Sequence, residues 1–497
     1  MEAIVPRKPW LFNLRSSKQL IGLAVFSTTF TDGFLYGIIV SVLPFSLTNR
    51  SGVSEADVPF WTSISLAVFG LAMVLGAPMA GWIVGKCERR QIPFLGGLFC
   101  AFFATLSFML GVKPWMIIVA RVFQGLSASV VYTAGLTLLV DTIESHELGP
   151  WIGFGLSGMN FGVLVSPTLG GIVYEKAGFY PVFIMGLGVV VVNLILILLM
   201  IDRTAAKKYT AQNGSTRASS LPNGNSTKSA IANGKRRLST VEDGDPTNTT
   251  PLLSHCRESS SAIAKDPSWW SIVGGVLRNP RILAALYGCL INTILVSAMD
   301  AVLPTFIKHT FHWFSGATGA MFLNITIPSF LGPFVGMISD KYGVRLVSTF
   351  GFTLGAVAVG LLALIQQDDT VNKVFACLLL VFIGIGLNTS LTPLVTELPR
   401  IVNVLQEEQP DLYGDKSAVT EAYMLLDAAF GAGTVLGPLL SELAYETLGW
   451  TGCTTMLALL TASAILPVVS CCLFINLLNM VADFKQVVHL APNPKGR

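Results

Sequence analysis

Apolar runs of bilayer-spanning length recur along this chain and leave little room for any soluble fold. A helix crosses a hydrocarbon core with about 20 apolar residues, and roughly twelve runs meet that length. The stretch from Ala120 to Gly178 shows the pattern. ARVFQGLSASVVYTAGLTLLV and WIGFGLSGMNFGVLVSPTLGGIVYEKAG flank the short charged turn DTIESHELGP. The second run carries Gly155, Gly158, Gly162, Pro167, Gly170 and Gly171. That glycine content weakens a soluble helix, whereas a membrane helix uses it to pack closely on its neighbours. Soluble helices also show a polar face every few residues, and these runs do not. Hydrophobic residues make up 52% of the chain and charged residues 12%, against roughly 25% charged in soluble domains. The chain reads as an all-α, multi-pass membrane protein.

Charge orders the spans. Arg7, Lys8, Arg15 and Lys18 precede the first, Lys86, Arg89 and Arg90 follow the second, and Arg203, Lys207 and Lys208 follow the sixth. The positive-inside rule places these residues and both termini on the cytoplasmic side. Asp141, Glu144 and Glu147 make the turn after the fourth span an exception. The first run is too long for a cleavable signal and holds Asp32, so it is expected to be the first span.

The expected layout has a cytoplasmic tail over 1–18, six spans over 19–201, a disordered cytoplasmic linker over 202–278, six spans over 279–479 and a cytoplasmic tail over 480–497. The linker is rich in Ser, Thr, Asn, Gly and Lys and is too polar to build a core. Arg236-Arg237-Leu238-Ser239 within it fits a basophilic kinase site or a plain solvated basic stretch. Asn213, Asn225 and Asn248 begin sequons on the cytoplasmic side, and Asn49 begins one outside. The net charge of +3 carries no nucleic-acid signature. The cysteines show neither metal spacing nor a disulfide framework, so neither metal nor cofactor is expected.

The second half mirrors the first. Pro78, Gly81 and Lys86 of span two have counterparts in Pro333, Gly336 and Lys341 of span eight. Gly162 and Pro167 of span five correspond to Gly433 and Pro438 of span eleven, with Ser166 opposite Gly437. Leu43-Pro44 matches Leu303-Pro304. Such a repeat implies two six-helix bundles related by a pseudo-two-fold axis around a central cavity.

These motifs carry a family resemblance. Ala120, Arg121, Gln124 and Gly125 resemble the fourth-helix motif of major facilitator superfamily transporters. Gly162, Pro167, Gly170 and Gly171 resemble the fifth-helix antiporter motif GxxxGPxxGG. Within the superfamily the chain resembles vesicular amine transporters and related drug:proton antiporters, over all but the central linker. The family's loop motif is GxxxDRxGR, and it is thought to latch the cytoplasmic gate through charge pairs. Here the first copy has Gly81 and Lys86 but Gly85 at the aspartate, so its latch is expected to be weaker or to use Glu88. The second copy keeps Gly336, Asp340, Lys341, Gly343 and Arg345. Gly437 and Pro438 join this gating and packing set.

Charged residues inside a membrane are costly and usually face a cavity or one another. Here they are Asp32, Asp300, Glu397 and Asp427, with Arg121 as the main basic residue. An acidic cavity selects cations, and a bound cation competes with a proton for the same carboxylate. The resemblance implies substrate contact at Asp32, Asp300 and Tyr423, and proton coupling at Asp300, Glu397, Asp427 and Arg121. Tyr423 and Asp427 are four apart and share a helix face. Asp32 lies twelve residues before Pro44 and Asp300 four before Pro304. With level prolines the carboxylates are therefore expected to differ in depth by roughly 12 Å. The amine transporters' second-span lysine is missing near Phe69 and Gly70, so Asp427 is expected to lack that partner.

The expected activity is proton-coupled antiport of a small organic, amphipathic cation by a monomer working through alternating access. The membrane is that of an acidic vesicle or vacuole, or the plasma membrane. Efflux of a neutral or anionic metabolite and a non-transporting receptor or scaffold remain as alternatives. No HExxH, GxSxG or P-loop supports an enzyme.

Overall fold

The computed structural model describes residues 11–54, 57–87, 89–144, 146–201, 269–311, 321, 323–409 and 418–470. The long helices are α1 (Lys18–Asn49), α2 (Val58–Lys86), α3 (Gln91–Leu110), α4 (Pro114–Thr142), α5 (Leu148–Ala177), α6 (Phe179–Leu199), α7 (Pro280–Phe311), α8 (Gly332–Tyr342), α9 (Val344–Leu362), α10 (Thr370–Glu408) and α11 (Val419–Ser463). Among the described residues, ten helical stretches are long and apolar enough to span a membrane. Two features separate ten from the expected twelve. Pro328 and the 3-10 turn Ile327–Leu331 interrupt the eighth run. The last stretch, Val419–Ser470, is 52 residues long, and Gly449 at φ 70° bends it into two.

Two carbonyls of that break before α8 are hydrogen-bonded. Asn388 donates to the Pro328 and Ser329 carbonyls at 3.2 and 3.3 Å, and Ser157 donates to Ser329 at 2.8 Å. Irregular backbone at membrane depth persists only with such partners. Phe99 and Phe103 on α3, Val192 and Ile195 on α6, and Phe350 and Val357 on α9 are exposed, as a lipid-facing belt requires.

Packing repeats between the halves. α1 packs on α5 as α7 packs on α11, α2 on α4 as α8 on α10, and α3 on α4 as α9 on α10. Two seams join the halves, α2 with α11 and α5 with α8. The exchange of halves maps each seam onto the other. Glycines explain the closeness. A Cβ at Gly162 would run into the Phe30 carbonyl, and one at Gly33 into that of Met159. Ser166 stands at a motif glycine position because Gly37 of α1 lies beneath its hydroxyl. In the second half the roles reverse, with Ser297 of α7 over Gly437 of α11. Gly170 makes only ordinary contact and Gly171 faces open space, so close packing rests on Gly162 and its neighbours.

One end of the bundle carries Arg15, Lys18, Lys86, Arg90, Lys341 and Arg400 and is called here the basic face. Two expectations change there. Residues 269–278, assigned to the linker, form the helix Trp269–Arg278, because Ile272, Val273 and Val276 share an apolar face. Val273 buries against Ala77 of α2 and Met424 of α11. Part of the expected N-terminal tail is also ordered, as the turn Phe12–Arg15. Glu88, the kinase-like string and the three linker sequons lie outside the described residues.

Candidate transport site

Four helices bring the embedded charges together. α1 carries Asp32 and, one turn on, Tyr36; α4 carries Arg121 and Tyr132; α7 carries Asp300; α11 carries Asp427. The hydroxyls beside Asp32 are committed elsewhere. Thr28 and Thr31 donate to Ala24 and Ser27, and Asn193 of α6 bridges both threonines at 3.1 Å. Asp32 itself, 8% exposed, makes no ion pair or hydrogen bond among the described residues.

The carboxylates sit in two surroundings. Asp427 is 1% exposed, and Asp32 and Tyr132 lie within its electrostatic reach. Neither Asp427 oxygen has a well-formed hydrogen bond among the described residues; the neighbouring Ser129 hydroxyl donates to the Met73 carbonyl instead. Asp300, by contrast, is exposed. Its electrostatic neighbour is Tyr36. Counted from the basic-face ends of their helices at about 1.5 Å per residue, Asp300 lies about 9 Å farther out than Asp32. This step is smaller than the roughly 12 Å that level prolines give.

Arg121 is wholly buried in the outer layer. Nε donates to Ser65 at 2.9 Å and Nη1 to Gln124 at 2.8 Å, while Nη2 has no partner among the described residues. No carboxylate is within ion-pair distance among those residues. Aromatic rings stand in: the guanidinium carbon is 5.6 Å from the Tyr36 ring, 5.6 Å from Phe108 and 5.9 Å from Phe69. Tyr36 packs on Phe69 at 5.3 Å, and Tyr132 on Phe430 at 6.3 Å. These aromatics come from α1, α2, α4 and α11.

Other expected site residues lie elsewhere. Tyr423 is 1% exposed and lies toward the basic face within reach of Asp141, which removes it from the cavity wall. Glu397 faces Arg400 at 3.9 Å, and Arg400 pairs with Asp340 at 2.7 Å, so Glu397 belongs to the basic-face network rather than the cavity. Among the described residues, Lys86 and Arg345 make no ion pair; the Lys86 ammonium lies 4.0 Å over the Trp82 ring. Tyr36 and Tyr132 were missed in the sequence. Tyr36 carried a signal, since it follows Asp32 by one helical turn on the same face.

The comparisons agree with this architecture. The family model described as Major Facilitator Superfamily matches residues 25–402. The chain belongs to the Major Facilitator Superfamily. This is a transporter family, not an enzyme family, and the protein is a multi-pass membrane protein that handles a small-molecule substrate. The chain is 30% identical over 439 residues to the MFS-type transporter ppzB of Metarhizium majus, covering 85% of this chain and 92% of that one. It is 27% identical over 206 residues to the vesicular acetylcholine transporter of Torpedo marmorata, 41% of this chain and 39% of that one. The crystal structure of the human organic anion transporter MFSD10 (TETRAN) superposes with a TM-score of 0.64 at 13% identity, covering 91% of this chain and 99% of that one, a likeness of fold alone.

Proposed function

We propose that this superfamily member is a proton-coupled antiporter for a small, amphipathic organic cation. One observation carries the reading: Asp32, Asp427 and Asp300 sit on membrane-spanning helices without an ion pair among the described residues, Asp32 and Asp427 buried and Asp300 exposed. Unpaired acids in a membrane are costly and are kept where ions move. A cation and a proton compete for them, so binding of one releases the other. Asp300 receives the cation, and the more enclosed Asp32 and Asp427 hold the proton. Partial similarity to a vesicular acetylcholine transporter supports a cationic substrate and an acidic compartment. The basic face is cytoplasmic, both termini lie there, and the unit is a monomer. Both seams meet on the basic-face side of the cavity, so this conformation opens toward the opposite face.

Uptake of a panel of organic cations into acid-inside proteoliposomes, with and without a protonophore, tests the reading. Gradient-driven uptake that disappears in Asp300→Asn supports cation:proton exchange. If folded protein takes up no cation, the substrate is a neutral or anionic metabolite and the acids serve protons or structure alone.

A further inference from the structure

A buried guanidinium with no acid partner is unusual, because an uncompensated buried charge is among the costliest groups in a protein. Arg121 is such a group, with Nη2 unpartnered among the described residues. On the other half, Asp300 is also without an ion pair among those residues. Tyr36 is within electrostatic reach of both. Its ring packs with Phe69 at 5.3 Å and the Arg121 guanidinium at 5.6 Å. Its helix cannot drift, since Gly33 and Gly37 hold α1 against α5 backbone and Ser166.

We propose that Tyr36 is a spacer that keeps the Arg121 guanidinium from pairing with Asp300, so that only the transported cation or a proton can neutralise this carboxylate. The inference rests on the antiport reading and adds a positioning residue to it. Without the spacer, the N-terminal half would supply its own cation to the acid of the C-terminal half. The empty carrier could then reset with Asp300 neutralised from within, and exchange would lose its coupling to protons. The neighbouring elements offer Asp300 no competing charge of note. On α11, Asp427 faces Asp32 and Tyr132; on α10, Glu397 faces Arg400; on α1, Asp32 lies nearly two turns deeper. The half-to-half repeat carries no second copy of the device. Counted through Leu43-Pro44 and Leu303-Pro304, Asp300 falls on Val40 and Tyr36 on Val296.

The test needs no known substrate. Dicyclohexylcarbodiimide labels carboxyls that are protonated and not ion-paired, and mass spectrometry of the purified full chain reads the adduct at Asp300. Wild type is expected to label, and Tyr36→Phe to label equally. In Tyr36→Ala, labelling should fall by about fivefold or more, the range of a modest coupling, and Tyr36→Ala/Arg121→Gln should restore it. Tyr36→Thr replaces the alanine variant if that does not purify as one species. Arg121→Gln alone should leave wild-type labelling unchanged. Unchanged labelling in Tyr36→Ala, or increased labelling in Arg121→Gln alone, overturns the spacer, the latter because the pair would already exist. A second readout follows protons released per ethidium taken up by proteoliposomes. A ratio that drops in Tyr36→Ala and holds in Tyr36→Phe supports the coupling role. Coupled wild-type exchange with an unchanged ratio in Tyr36→Ala removes the spacer but keeps the antiporter; uncoupled wild type removes the antiporter whatever the labelling shows.

Discussion

Along the α5–α8 seam, backbone meets backbone. A Cβ at Gly149 or Gly336 would overlap the other's main chain, Gly153 stands to Gly332 in the same way, and Ser157 crosses to Ser329. Along the α2–α11 seam, which the repeat maps onto the first, glycine meets side chain near the basic face. A Cβ at Gly81 would lie 2.8 Å from the Met424 side chain, whereas Gly70 and Gly431, deeper in, meet backbone. The acids have also changed sides. In the first seam Asp340 of α8 faces Gly149 at the start of α5, where helix N–H groups favour a carboxylate. In the second, α2 has Gly85 at the corresponding place, and Glu421 near the start of α11 faces it, with its carboxyl 3.4 Å from where a Cβ would be. One seam is stiff and the other yields, though both descend from one pattern. A contact can keep its volume and charge while its residues trade places.

Adding bulk is the strongest way to break this comparison. Gly336→Leu drives a side chain into backbone, and overpacking costs about 1–3 kcal/mol. Transport should fall by about 5- to 150-fold in protein that remains monodisperse, the span that such an energy produces. Gly81→Leu meets a flexible methionine and should cost less than about fivefold. Equal losses would erase the distinction between stiff and yielding seams. Arg400→Gln comes next. It strips Asp340 of a partner at 2.7 Å, but the pair is partly exposed, so thermal unfolding should register about 1 kcal/mol or less. Asp340→Asn in that background should give back part of the loss.

Gly85→Asp sharpens the comparison at the other seam by setting an acid against Glu421. Cysteine accessibility at the basic face should rise by about twofold, the effect of a weak like-charge pair, and Glu421→Gln should cancel the rise. The smallest effect concerns Glu147, in the turn before α5. Its hydrogen bond from Lys18, 2.9 Å long, holds its carboxyl below the usual 4.5. A depressed carboxyl stabilises the fold above its ordinary value and loses that contribution as pH falls through the folded value. Wild type and Glu147→Gln should therefore differ in unfolding temperature at neutral pH and converge below about pH 4.

Span limits were legible because length and apolarity decide them, and the repeat was legible because prolines and glycines mark it. The acids of the cavity were visible one by one. Their grouping was not, because which faces of α1, α4 and α11 meet depends on close packing across helices. Glu397 shows the limit. Its place late in span ten fits a proton site or a basic-face network, and only Arg400 beside it decides. Tyr36 reads as one more aromatic in an apolar run until Arg121 is found against its ring. The helix at 269–278 was hidden by the polar stretch before it, although Ile272, Val273 and Val276 already had helical spacing.

The segment before α1 is tied to the far end of its own bundle. Arg15 donates from Nε to the Leu199 carbonyl at 2.6 Å, across 184 residues of chain, and the Ile201 amide donates to the Arg15 carbonyl at 2.8 Å. At a synthesis rate of about 5–20 residues per second, the partners leave the ribosome roughly 10–40 s apart. Through that interval the last-turn carbonyls of α6 do not yet exist, and Arg15 must wait on water or lipid headgroups. The tie is made only once the sixth helix is complete, so it acts as a closing stitch, set last although one of its threads is spun first.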